Sequence, residues 1–227
     1  MKKILPVFLL ILAISLNACS PLAVKSTATQ APVISQPTEV NPTPTTKQYS
    51  NSQFGLEFQF PSNWFGPEEY VSDQTLRVEA GSDVVYPYGE RPETPPTVLN
   101  SYNLVLQYTK NDQNTDWQET YQSLLKLKDG ESISSTRSLI TRVRQIAVGN
   151  FKGFEYIFTL PESAQTDHVY SRNVILLNGQ TNDLITILGQ PVNVEVLNGA
   201  DWREIYQALD EANLSAFRMV VDSLTIN

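Results

Sequence analysis

The chain has little with which to build the commoner kinds of site. Its 227 residues include one cysteine and one histidine. A single cysteine excludes a disulfide framework and any cysteine-based zinc site. A single histidine, His168, excludes a multi-histidine metal centre. Basic residues number 16 against 24 acidic ones, a formal charge of −8, which argues against nucleic acid as the main partner. There is no Walker loop, no dinucleotide fingerprint and no nucleophile elbow. No internal repeat is visible. No apolar run reaches the roughly 20 residues of a comfortable membrane span. These absences leave no expected metal or cofactor and no expected catalytic residue. What is present is 41% apolar residues in a chain long enough to bury one sizeable core.

The amino terminus carries an address. Lys2 and Lys3 precede an apolar run, Ile4 to Leu16, interrupted by Pro6 and Ser15. Its length suits the apolar region of a signal peptide. The following Leu16-Asn17-Ala18-Cys19 resembles a bacterial lipobox. That resemblance implies cleavage between Ala18 and Cys19 and a diacylglyceryl thioether on Cys19, with palmitate-type chains. Each buried methylene contributes about 0.8 kcal/mol, so two or three chains anchor stably. Residues 1–18 are therefore expected to be a lipoprotein signal peptide, and the rest to be held at the extracytoplasmic face of a cell membrane. Removing Lys2 and Lys3 with that peptide takes the charge from −8 to −10. An anionic leaflet repels such a domain.

Residues 19–48 read as the lipidated Cys and a tether. Pro32, Pro37, Pro42 and Pro44 recur among Thr, Ser, Ala and Val, and aromatics are missing. A segment of this kind cannot bury enough apolar surface to offset its ordering entropy.

From Tyr49 to Asn227 the pattern is that of one globular domain. Phe54, Leu56, Phe58 and Phe60 alternate, as on a half-buried strand. A turn at Pro61-Ser62-Asn63 leads to Trp64. Further strands are expected at Thr75 to Ala80, Tyr102 to Thr109, Ile140 to Val148, Phe151 to Leu160, Val169 to Leu177 and Leu184 to Leu188. The last pair is nearly all apolar in its middle and is expected to lie centrally. Trp117, Tyr121, Leu124 and Leu125 have helical spacing, with Asn114 or Thr115 as the cap. Two terminal stripes, Trp202 to Leu209 and Phe217 to Leu224, predict helix with a break near Asn213. Strands joined by short turns, then helices, make an α+β fold: an antiparallel β-sheet with helices on its faces, an αβα sandwich.

The run Tyr49 to Trp64, with its Gly55-Leu56 strand and its Pro61-Ser62-Asn63-Trp64 turn, resembles the opening of PsbP-like domains. Gly149-Asn150-Phe151-Lys152-Gly153-Phe154-Glu155-Tyr156 is similar to that family's Gly-x-x-Gly-x-x-Tyr hairpin, and Asp222 to Ile226 to its closing helix and short strand. The resemblance implies an antiparallel sheet between helical layers, and an extrinsic, non-catalytic role on a membrane complex.

The remaining candidates are weighed residue by residue. Trp64, Trp117 and Trp202 read as core aromatics, and His168 as a solvated loop residue. Glu68, Glu69 and Asp73, and Asp112 with Asp116, match no calcium loop. Paired carboxylates can also hydrolyse glycosides. Arg137, Arg142 and Arg144 are expected to pair with the domain's own acids. The long stretch Gly81 to Ser101 holds Val84, Val85, Tyr86 and Tyr88 among its prolines, and exposed apolar and Tyr groups on a stiffened loop suit protein contact. The function expected is a lipid-anchored module that binds a membrane-associated envelope protein complex. The alternative is a tethered domain for a small molecule, glycan or metal, and behind it a carboxylate hydrolase.

Overall fold

Alternation of apolar and polar residues every second position, interrupted by Gly, Asn and Asp turns, builds a fold dominated by antiparallel strands. The structure, a computed structural model, describes residues 46–85, 98–161 and 169–227. In order, the elements are β1 (Thr46–Asn51), β2 (Leu56–Pro61), β3 (Phe65–Val71), β4 (Thr75–Gly81), β5 (Ser101–Thr109), α1 (Asp116–Lys126), β6 (Ser132–Ser134), β7 (Leu139–Val148), β8 (Phe151–Thr159), β9 (Tyr170–Asn178), β10 (Asp183–Val192), α2 (Trp202–Ser223) and β11 (Thr225–Ile226). The fold is α+β. Strands β3-β4-β5-β10-β9-β8-β7-β6 form an eight-stranded sheet, and β1-β2-β11 form a separate three-stranded one. None of the described helices is long and apolar enough to cross a membrane.

The central strands β9 and β10 are apolar on both faces because both faces are covered. Val174 and Leu176 join Ile185 and Ile187 in the larger buried cluster, together with Leu56, Phe58 and Phe60 of β2 and Phe217, Val220 and Val221 of α2. Ile175, between Val174 and Leu176, must face the other way. It packs with Leu184, Phe154, Ile140 and Leu124 of α1, and Trp117 and Tyr121 lie against this second cluster.

Several expectations need correction. The opening strand does not belong to the main sheet. It starts at Leu56 rather than Phe54, because Gly55 takes φ +61° and turns the chain. Strand β1 reaches back to Thr46, three residues before Tyr49, since Thr46–Asn51 pairs along β2. There Lys47 Nζ donates to the Trp64 carbonyl at 2.9 Å. The edge strands β3 and β6 were not expected; neither shows clean alternation, and β6 is three exposed residues. The break near Asn213 does not occur. Its side-chain amide donates to the Leu209 carbonyl one turn back, and α2 continues unbroken for 22 residues.

Two glycines mark close approaches. A Cβ on Gly153 would lie 1.7 Å from the Ile175 carbonyl oxygen of the neighbouring strand. A Cβ on Gly189 would lie 2.4 Å from the Tyr102 hydroxyl and 2.6 Å from the Phe217 ring. Both neighbours of Gly189 are fully buried, so neither can swing aside. Gly189→Ala is therefore expected to lower unfolding free energy by about 1–3 kcal/mol, the usual effect of overpacking. Urea denaturation with an unchanged slope would measure it, and an unchanged midpoint would refute the packing described.

Candidate functional site

The roots of the long loop after β4 are built on one carboxylate. Asp83 is buried, and its Oδ1 accepts from the Val84 amide at 2.7 Å. Its Oδ2 accepts from the Val98 amide at 3.0 Å and from Asn193 Nδ2 at 3.1 Å. Ser101 Oγ donates to the Val98 carbonyl at 2.9 Å. The Asn100 amide donates to the Asn193 carbonyl at 3.0 Å, and the Glu195 amide donates to Asn100 Oδ1 at 3.1 Å. Asn100 and Asn193 both adopt positive φ, 57° and 53°, a conformation that Asn tolerates better than most residues. Three stretches of chain are thus tied together through backbone groups and short polar side chains. Their apolar side chains are left facing water. Val84 is 38% exposed, Val98 53%, Leu99 59% and Leu197 66%. Val85 is half-buried. Tyr86 and Tyr88 lie outside the described residues, as do Ala18, Cys19 and His168.

A second constellation lies inside the domain. Arg172 of β9 reaches Asp210 of α2 with Nε at 3.1 Å and Nη2 at 2.5 Å, and Glu155 of β8 with Nη1 at 2.8 Å. Both acids are completely buried. The Tyr102 hydroxyl donates to Asp210 at 3.1 Å. Arg144 on β7 bonds Glu155 at 2.5 Å and Asp222 at 2.6 Å. Burial alone would lower the Arg172 pKa. The hydrogen bonds and charges of Asp210 and Glu155 outweigh that, and the guanidinium is held above its ordinary range. Burial, then the Asp210 charge, pushes the Tyr102 phenol up. A carboxylate sealed from water and gripped by Arg has no route to a substrate. This cluster fastens α2 to the sheet.

The other residues singled out in the sequence fall as follows. Trp64 is buried, with its ring 6.3 Å from Tyr102. Trp117 stands edge-on to Tyr121 at 5.9 Å, and Trp202 edge-on to Tyr206 at 5.7 Å. Glu68 and Glu69 are consecutive on β3, so they point to opposite faces and cannot act as a pair. The Tyr49 hydroxyl donates to Glu69. Arg142 bonds Asp129 at 2.8 Å and also donates to the Leu124 and Leu127 carbonyls at the end of α1. Arg137 is exposed. No metal-holding group of acids, His or Cys occurs among the described residues.

Glu155, Arg172 and Asp210 were missed by sequence reasoning, although one signal was present. An arginine inside a strand expected to be covered on both faces requires a buried acid.

No family model and no curated protein matches the chain. In structure it is similar to the Ran-binding protein Mog1p of Saccharomyces cerevisiae, with 12% identity over 81% of this chain and 96% of that one, at a TM-score of 0.41.

Two predictions follow from the buried cluster and its tyrosines. Arg172→Met leaves buried Asp210 without its guanidinium and Glu155 held by Arg144, and is expected to cost about 3–5 kcal/mol. Replacing Arg172, Glu155 and Asp210 together by Met, Leu and Leu should cost less than Arg172→Met alone; a larger loss would show that packing, not charge, dominates. The second concerns alkaline pH. Tyr156 is pushed up to about 12 by burial, and Tyr170 to about 12 by burial and the Asp210 charge. An unfolded tyrosine ionises near 10, so between about pH 10 and 12 the unfolded chain holds fewer protons than the native one. Stability should fall as pH rises through that window, and a Tyr156→Phe, Tyr170→Phe variant should show a shallower fall in denaturation midpoint.

Proposed function

We propose that this chain is a lipid-anchored, non-catalytic module that binds a membrane-associated protein complex at the extracytoplasmic face. The observation that carries the reading is the hydrogen-bonded base around Asp83, which holds Val84, Val98 and Leu99 towards solvent. A soluble surface gains nothing from apolar side chains fixed in water, whereas an interface core does, and rigid presentation reduces the ordering cost of binding. The PsbP-like opening of the domain supports an extrinsic role of this kind. The packing of α1 against Ile175 and of α2 against the Val174 side of the same strand supports reading the layers as an αβα sandwich.

In this mechanism the lipid on Cys19 confines the module to one membrane, and the Pro/Thr-rich tether sets its reach. Confinement raises the effective concentration at a partner held in the same membrane, so a modest contact suffices. The net charge of −10 left after cleavage keeps the domain off an anionic leaflet, with the loop roots free to meet protein.

Photo-crosslinking in living cells tests this. A photoreactive residue at position 99 is expected to capture one envelope complex, and one at Glu119, on the exposed side of α1, is not. With the probe kept at position 99, capture should disappear in Val84→Ser/Val98→Ser and in Cys19→Ala. Substitutions at exposed positions change stability by only about 0.5 kcal/mol, so the serine variant should melt as the parent does. The same neighbours from both positions, or none from position 99, would sink the proposal.

A further inference from the structure

The neighbouring strands β5 and β10 carry different chemistry on their two faces. Towards α2 they present Leu104, Leu106, Ile185 and Ile187, all buried. On the opposite face, near the carboxyl end of β5, they present Gln107, Thr109 and Thr186. Register sets these side by side: Thr109 lies between Thr75 and Leu184, and Gln107 lies opposite Thr186. The result is a patch of hydroxyl and amide groups flanked by apolar Ile175 and Leu177 of β9 on one side and by Arg77 of β4 on the other.

Over this patch sits the start of α1. Between them is a half-open cavity of about 320 Å³, lined on its upper side by Asp112, Asn114, Asp116 and Trp117. That volume lies at the lower end of the range for small-molecule sites, enough for one ring-sized ligand. Three features define what would enter it. The floor offers hydroxyls and an amide that both donate and accept, suited to a ligand with several hydroxyl groups. Two carboxylates line the cavity and no basic residue does, so the local charge favours a cation. The nearest cations are committed elsewhere. Arg77 bonds Glu79 at 2.6 Å, and Lys110 Nζ donates to the Gln53 carbonyl and lies 4.2 Å from the Phe54 ring. Finally, Trp117 supplies an aromatic wall, the side chain best suited to a cation beside its face. Its position is fixed by Tyr121, which in turn packs on Phe154 at 5.5 Å. Its indole N–H is shielded from solvent and makes no hydrogen bond.

We infer that this cavity binds a small hydroxylated amine, of which an amino sugar is the simplest form. The ammonium group sits with Asp112 and Asp116, the hydroxyls meet Thr75, Thr109, Thr186 and Gln107, and the ring lies by Trp117 and Leu184. The two acids are noted in the sequence as a surface pair; the fold gives them a shared cavity. The site lies at the opposite end of β5 from the loop roots around Asp83, so it stands or falls independently of the protein-contact reading.

Titration of the full chain with glucosamine, followed by tryptophan fluorescence and calorimetry, tests this. Saturable binding is expected, with glucose at least tenfold weaker because it lacks the charge. Putrescine, an amine without hydroxyls, should also bind at least tenfold more weakly. In Asp112→Asn/Asp116→Asn the preference for glucosamine over glucose should vanish. The melting temperature should be kept, since an asparagine side chain at position 112 retains an oxygen to accept from the Asn114 amide. Trp117→Phe should remove the fluorescence response but leave a calorimetric one weakened. No saturation up to roughly 10 mM, a Kd weaker than about −3 kcal/mol of binding free energy, would overturn the inference. So would equal binding of glucose and glucosamine, or an unchanged response in the double asparagine variant.

Discussion

The grip of Arg172 on Asp210 and Glu155 is the constraint around which the domain is arranged. Three elements meet there, β8, β9 and α2, and each brings a charge that cannot remain buried alone. Ion pairs of this kind add little net stability when compared with apolar replacements, but they tolerate very few geometries. Sliding α2 by one turn, or β9 by one residue, would strand a carboxylate in the core. The neighbourhood conforms to this demand. Gly189 leaves room for the Tyr102 ring to reach Asp210, and Phe217 fills the space beside it. Arg144 takes the second oxygen of Glu155 and links it outward to Asp222 near the end of α2.

With α2 held there, the small sheet follows. Ser223 at the end of the helix accepts from the Gln59 amide of β2, and β11 then pairs beside Glu57 and Leu56. Leu56, Phe58 and Phe60 close over the same cluster as Phe217 and Val220. One face of the main sheet is therefore sealed by a helix and a second sheet. The other is covered by a shorter helix, and beneath the start of α1 the sheet turns from Ile175 to Thr186, Gln107 and Thr109.

Much of this was legible in the residues. The strands with clean alternation or continuous apolar runs, β4, β5, β8, β9 and β10, stand close to where the pattern places them, and so does α1. What escaped notice did so for physical reasons. Strand β3 is an edge with one neighbour, so it has no need to alternate. Helix α2 bridges Asn213 because that side chain satisfies itself on Leu209. The second sheet cannot be read from β2 alone, because a half-buried strand looks the same whichever sheet it joins. The Asp83 base was only half visible: Val84 and Val85 were noted as contact residues, but the bond from Asn193, 110 positions away, is a product of topology. The acids at 112 and 116 were seen, while the threonines they share a cavity with lie on three separate strands.

Strand β1 has a mechanical consequence. The chain enters the described domain at Thr46, which pairs with Pro61, at the open end of the β1–β2 hairpin. Tension on the preceding residues acts across that ladder rather than along it. The hairpin would open pair by pair from Thr46, like a zipper, with Lys47 on the Trp64 carbonyl as the first catch and buried Tyr49 on Glu69 as the second. The strand can then be drawn out while β2, still backed by β11 and α2, keeps its place. A domain loaded through Thr46 would yield length before it yields its core.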